Sequence, residues 1–209
     1  MSKAAVWGSL IIGATLALAG CGNVPGVPDH TYFRMPPVAK LPVSPKPVFV
    51  TPLVVGLFNA DGLYADRALV YAINPEATEL RQYHYQLWTD PPTRLLQRRL
   101  KVELREAEIA PLVTDELAAS QAAIRISGQI LRFERVPTVN GGYLASVVIK
   151  LRADRPDGTP QTDEIYRADV EAVDNRLIST TEALFAAADQ IFAEFYEDLL
   201  ASEKYEHAR

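Results

Sequence analysis

Cys21 is the residue whose chemistry is most tightly constrained by its neighbours. It is the only cysteine among 209 residues, so the chain can build neither an intramolecular disulfide nor a thiolate metal cluster. Lys3 precedes an uncharged, mostly apolar run from Ala4 to Gly20, which closes as Leu18-Ala19-Gly20-Cys21. A positive start, a short apolar stretch and small residues at its end describe a secretory signal. Gly8, Ser9, Gly13 and Thr15 interrupt the run and leave it marginal as a bilayer span. The tetrad matches the bacterial lipobox, in which the thiol receives a diacylglycerol, cleavage falls before the cysteine, and the new amino group is acylated. Each buried methylene contributes about 0.8 kcal/mol, so one acyl chain holds weakly while several, palmitate among them, hold almost permanently. Residues 1–20 are therefore expected to be a signal peptide and Cys21 the lipidation site. Gly22 follows it, rather than the aspartate that retains lipoproteins in the inner membrane of enteric bacteria, which points to the periplasmic face of the outer membrane.

A second set of residues could bind charge. Arg94, Arg98, Lys101 and Arg105 recur at helical spacing and share one face, with Arg99 nearby. One reading is a solvated face partly neutralised by Glu103, Glu106 and Glu108; the other is a docking surface for lipid phosphates or an acidic partner. Asp189, Glu197 and Asp198 offer acidic counterparts for pairing between neighbouring copies. Catalytic signatures are missing from the sequence: there is no G-x-S-x-G elbow, H-E-x-x-H pair, Walker loop or G-x-G-x-x-G turn. His30, His84 and His207 are scattered, and Asp61 and Asp66 bracket a turn without a base beside them. No enzyme activity, cofactor or metal is expected.

The elements that position these residues follow from periodicity. Eight prolines between Gly22 and Pro52 favour extended, semi-rigid chain, so residues 21–47 read as a lipidated Pro-rich tether and 48–209 as the folded domain. Thr31 to Met35 within the tether is apolar enough for an edge strand or a docked segment. Strands are expected over Val48–Val55, with Pro52 demoting part of it, over Leu69–Ile73, and over Leu80–Trp88. Asp90-Pro91-Pro92 opens a helix with Asp90 as N-cap and Leu95, Leu96, Leu100, Leu104 and Ala107 as its apolar stripe. Ile124–Phe133 resumes strand. A hairpin follows, Tyr143–Ala153 and Asp163–Val173 about a Pro156-Asp157-Gly158 turn, while Gly141-Gly142 reads as hairpin chemistry. Ser179-Thr180-Thr181-Glu182 reads as a capping box opening a long helix with Leu184, Ala188, Ile191, Phe195 and Leu199 on one face. The expected fold is a single-domain α+β architecture, an antiparallel or mixed sheet packed against two amphipathic helices.

The length suits one domain, and 48% hydrophobic with 22% charged residues excludes a disordered or polytopic membrane chain. The net charge is −5 and becomes −6 once Lys3 leaves with residues 1–20, which argues against a nucleic-acid partner.

The order Tyr32-Phe33, a Pro-rich stretch, Leu63-Tyr64-Ala65-Asp66-Arg67, Val70-Tyr71, Leu87-Trp88-Thr89-Asp90-Pro91-Pro92 and Phe133-Glu134, with an amphipathic C-terminal helix, resembles the auxiliary lipoproteins of ABC-type transport systems. These are the PqiC-like proteins, and the likeness covers residues 31 to about 200. Ala65-Asp66-Arg67 departs from that family's usual hydrophobic spacing. The resemblance implies an outer-membrane lipoprotein encoded with an ABC permease and an MCE-domain protein. The MCE protein would form a periplasmic tunnel for phospholipid or another hydrophobic substrate, and this subunit, singly or as a homo-oligomeric ring, would dock its distal end. The alternative is a structural or assembly lipoprotein of the envelope. Tyr64, Trp88 and Tyr143 could face lipid, although strand aromatics are more usually core.

Overall fold

The computed structural model describes residues 26–37 and 41–207, with side chains through Glu203. Cys21 and the expected signal peptide lie outside the described residues. The sheet is organised around one long strand, β7 (Ile124–Pro137). Along one edge of β7, three short parallel partners are arranged end to end: β2 (Leu53–Val55) beside Ile124–Ile126, β3 (Asn59–Ala60) beside Gln129–Ile130, and β4 (Ala68–Ala72) beside Glu134–Arg135. The other edge pairs antiparallel with β8 (Tyr143–Asp154), and β8 pairs with β9 (Pro160–Glu171). Beyond β4 lies antiparallel β5 (Leu80–Trp88), then parallel β1 (Thr31–Phe33); β6 (Val113–Thr114) extends the sheet beside β2. The sheet is thus mixed, and the single-domain α+β class expected from the sequence is the one found.

Alternation decides the faces. Ala145, Val147, Ile149, Leu151 and Ala153 of β8 are buried, while the residues between them form the outer face, where Lys150 and Arg152 pair with Asp163 at 3.0 and 3.2 Å. Two helices cover the inner face: α1 (Pro92–Glu106) and α2 (Leu177–His207). The five expected stripe residues of α1 are buried, as are Leu184, Ala188, Ile191, Phe195 and Leu199 of α2, and all belong to one core. Each fully buried Leu or Phe contributes about 1.5–3 kcal/mol. Trp88 is buried between Phe133 and Phe185, at ring separations of 5.7 and 5.5 Å.

Three local expectations need correction. Pro91, not Asp90, occupies the N-cap of α1 and makes no side-chain cap; Asp90 instead pairs with Arg98. Helix α2 begins at Leu177, so Ser179, Thr180 and Thr181 are buried inside its first turns instead of capping it. Asp174, just ahead of the helix, is the acceptor: its Oδ1 takes the Arg176 N–H at 2.9 Å and the Ser179 hydroxyl at 2.6 Å. Finally, Val48–Pro52 is not strand. Val48 and Phe49 both donate to the Ile109 carbonyl, and Pro52, lacking a donor, precedes the first ladder residue.

Contacts also begin well before Val48. His30 lies against Tyr85 at 5.6 Å between ring centroids, and Thr31–Phe33 pairs with Gln86–Trp88. Leu41 is buried, Tyr196 donates to the Pro42 carbonyl at 3.0 Å, and Ser44 N donates to Ala107 O at 3.0 Å. Most of the stretch expected to be tether therefore straps the domain.

Candidate docking face

The four basic residues of α1 do share its outward face, but they are not equivalent. Arg98 is held by Asp90, and Lys101 reaches Asp115 at 2.6 Å, an interaction that lowers the Asp115 carboxyl below its ordinary range. Arg94 and Arg105 are exposed. Local neutralisation thus comes from loop aspartates, not from Glu103. Exposed ion pairs of this kind contribute about 0–1 kcal/mol each, so Arg98 and Lys101 can exchange partners at little cost.

Arg99, one step round the helix, has a different role. It is buried, and its guanidinium makes a two-pronged contact with Asp189 of α2, with Nη2 to Oδ2 at 2.7 Å. Nη1 donates to the Pro36 carbonyl at 3.0 Å and Nη2 to the Pro37 carbonyl at 3.2 Å. Its charge also sits 5.3 Å over the Phe185 ring. One side chain thereby joins both helices and the N-terminal strap. Glu103, fully buried one turn on and 3.4 Å from Arg99, has its carboxyl pushed up to about 9 by burial and by the neighbouring Asp189, so it is protonated at neutral pH. This cluster takes Asp189 out of the inter-copy pairing expected from the sequence, because its carboxylate is engaged within its own chain. Asp198 likewise accepts the Tyr166 hydroxyl at 2.7 Å.

A second buried carboxyl, Glu134 of β7, accepts the Tyr64 hydroxyl and lies 3.4 Å from Arg132. Burial raises its pKa, and burial with the Glu134 contact raises that of Tyr64. Tyr64 is therefore a hydrogen-bonded wedge on the sheet and not a free lipid-facing ring. Tyr143 is half-buried under the Arg135 guanidinium, 3.3 Å from its ring centroid. Among the described residues no group of three or more His, Cys, Asp or Glu could hold a metal ion, and no helix is long and apolar enough to cross a membrane.

Sequence reasoning missed the Arg99–Glu103–Asp189 cluster. Its signal was present: on a 3.6-residue wheel Arg99 and Glu103 fall between Leu95 and Leu96, inside the apolar arc that runs on to Leu100 and Leu104, where an i, i+4 charge pair needs a buried partner.

A family model described as "ABC-type transport auxiliary lipoprotein component" matches residues 53–199. A search of curated protein sequences finds no match. Among solved structures, protein XCC0632 from Xanthomonas campestris, described as a DUF330 protein, superposes with a TM-score of 0.72 at 16% identity, covering 86% of this chain and 100% of that one. A second, described as an uncharacterized protein, gives 0.58 at 13% identity, covering 82% and 99%. At such identities the likeness establishes the fold. The family assignment rests on the model match, and that family is a transport accessory, not an enzyme class. The strap, mixed sheet and two covering helices are therefore the fold of a chain that belongs to the ABC-type transport auxiliary lipoprotein component family.

Proposed function

We propose that this protein is an outer-membrane-anchored accessory lipoprotein of an MCE-type ABC transport system, acting in phospholipid or other hydrophobic-substrate traffic without catalysis. The observation that carries this reading is the family match over residues 53–199 lying downstream of Leu18-Ala19-Gly20-Cys21. Cys21 anchors the chain, residues 22–30 set the reach, and the domain docks the periplasmic MCE-domain protein, singly or as a ring of copies. The outward face of α1 supports that docking role: Arg94 and Arg105 are exposed, and Arg98 and Lys101 hold aspartates that an acidic partner can displace. Purifying the lipidated protein from detergent-solubilised membranes, with mass spectrometry of bound proteins and lipids, tests the reading. Recovery of an MCE-domain protein and an ABC permease is expected. Recovery of cell-wall or envelope-scaffold proteins alone would favour a structural lipoprotein instead.

A further inference from the structure

Strands β4, β7 and β9 run in the same direction and end at the same side of the sheet, and the connections that leave them carry bare apolar side chains. Ile73 follows β4, Val139 sits in the β7–β8 turn, Val173 follows β9, and Ile178 lies in the first turn of α2. Val139 and Val173 are 85% and 86% exposed. The loops form one unit: Asn175 Nδ2 donates to the Gly141 carbonyl at 3.3 Å, and Arg135 donates to the Asn175 carbonyl and the Tyr83 hydroxyl, both at 2.8 Å. Glu76, Glu79, Glu171 and Asp174 rim this end against Arg81 and Arg176, the latter paired with Asp174 at 2.7 Å, so the rim has no basic excess.

The strap shows which surface this end meets. Strand β1 runs parallel to β5, with Thr31 opposite Gln86 and His30 against Tyr85. The chain ahead of His30 therefore points back along β5 toward Leu80, which pairs with Ala72 at the Ile73 end. Five strand residues separate Tyr85 from Leu80, about 17 Å. Nine residues separate His30 from Cys21 and span at most ~30 Å. The opposite end, past Ile124, also carries apolar residues, Val50 at 90% and Leu112 at 47% exposed, so composition alone does not choose between the ends. To place a membrane there, the chain would have to reverse at His30 and use nearly its whole reach.

We infer that the Ile73–Val139–Val173–Ile178 end seats directly on the leaflet that holds the anchor, as an apolar contact with a neutral lipid surface; this rests on the reading of Cys21 as lipidated. The domain then stands on the membrane with Val50 and the strap's far end pointing into the periplasm. A rim without basic excess gives the contact no attraction to anionic lipid.

The test uses the lipidated full chain in phosphatidylcholine vesicles, with Val139→Cys and Val50→Cys labelled separately by an environment-sensitive fluorophore. Lipidation consumes the Cys21 thiol, so each variant offers one reactive site. Quenching by nitroxides on the acyl chains should be at least 3-fold stronger at position 139 than at 50, and adding phosphatidylglycerol should not raise that ratio. Equal quenching at the two sites overturns the seating. So does a label at 139 that is shielded from aqueous iodide yet untouched by the lipid nitroxide, since a second copy or another protein would then cover this end. A protein that fails to float with the vesicles overturns the anchor reading, and with it the seating.

Discussion

Arg99 ties α1 to α2 through Asp189 and to the N-terminal strap through the Pro36 and Pro37 carbonyls. Its removal leaves Asp189 unpaired in a largely apolar setting and two proline carbonyls without donors. Breaking a buried pair in this way costs about 3–5 kcal/mol. Arg99→Ala should lower stability by that order, measured by urea denaturation, and should release amide protection in Thr31–Phe33 ahead of global unfolding, measured by hydrogen exchange. Glu103 beside it makes stability depend on pH. Its folded value of about 9 lies above the ordinary 4.5, so between those limits the folded chain keeps a proton that the unfolded chain has lost. The stabilisation from this group is complete below about 4.5 and is lost as pH rises through about 9. Relative to Glu103→Gln, which cannot ionise, the unaltered protein should therefore lose on the order of a kcal/mol or more between pH 5 and pH 9. Parallel denaturation curves for the two proteins across that range would refute the assignment. The basic stripe of α1 was readable because its spacing matches a helix. What the spacing could not show was which acids lie opposite, since Asp90, Asp115 and Asp189 come from other segments.

The elements divide along the same line between local and non-local causes. The β8–β9 hairpin was legible because alternation flanks an Asp157-Gly158 turn, where Gly158 has a φ of 83° and Asp157 accepts the Thr159 amide at 2.9 Å. Both helices were legible from their apolar stripes. Of the expected Val48–Val55 strand only Leu53–Val55, past Pro52, forms as β2, while the two-residue strands β3 and β6 leave little local trace, because each exists through a parallel neighbour far away in sequence. The capping box was misplaced for a related reason: Asp174, outside the apparent motif, outcompetes Ser179 as the acceptor. Gly128 shows how closely β7 is fitted. A Cβ there would stand 2.7 Å from the Phe58 ring, which is buried and packs edge-on against Phe192 of α2 at 6.4 Å between centroids. Gly128→Ala should therefore destabilise by about 1–3 kcal/mol, an overpacking cost that Phe58→Leu in the same chain partly relieves. A double-mutant cycle in thermal unfolding measures both effects.

For the whole molecule, attachment and folding are separable. Cys21→Ser should leave the membrane fraction while keeping the same far-UV circular dichroism and melting temperature, because the buried core is built from residues between Leu41 and Leu199; a variant that still sediments with membranes would refute the anchor. Charge reversal at Arg94 and Arg105 should reduce capture of the transport partner at least severalfold without moving the melting temperature, since both are exposed. Unchanged capture would direct attention to another face.

The end-to-end seating of β2, β3 and β4 along a single edge of β7 also dictates an order of events in folding. Strands β2 and β3 lack their β7 edge until residues 124–137 are available, whereas β4 can pair with its chain neighbour β5, and β7, β8, β9 and α2 are consecutive in the chain and close only short loops. A chain emerging N-terminus first can form the β4–β5 hairpin and add β1 to it, but must hold β2 and β3 without their β7 edge until that strand arrives. The C-terminal half should therefore acquire amide protection first in pulse-labelled refolding, with Leu53–Val55 and Asn59–Ala60 protected last. With the proposed anchor at Cys21, a newly exported molecule would be tethered at its N-terminus while β2 and β3 were still waiting for an edge.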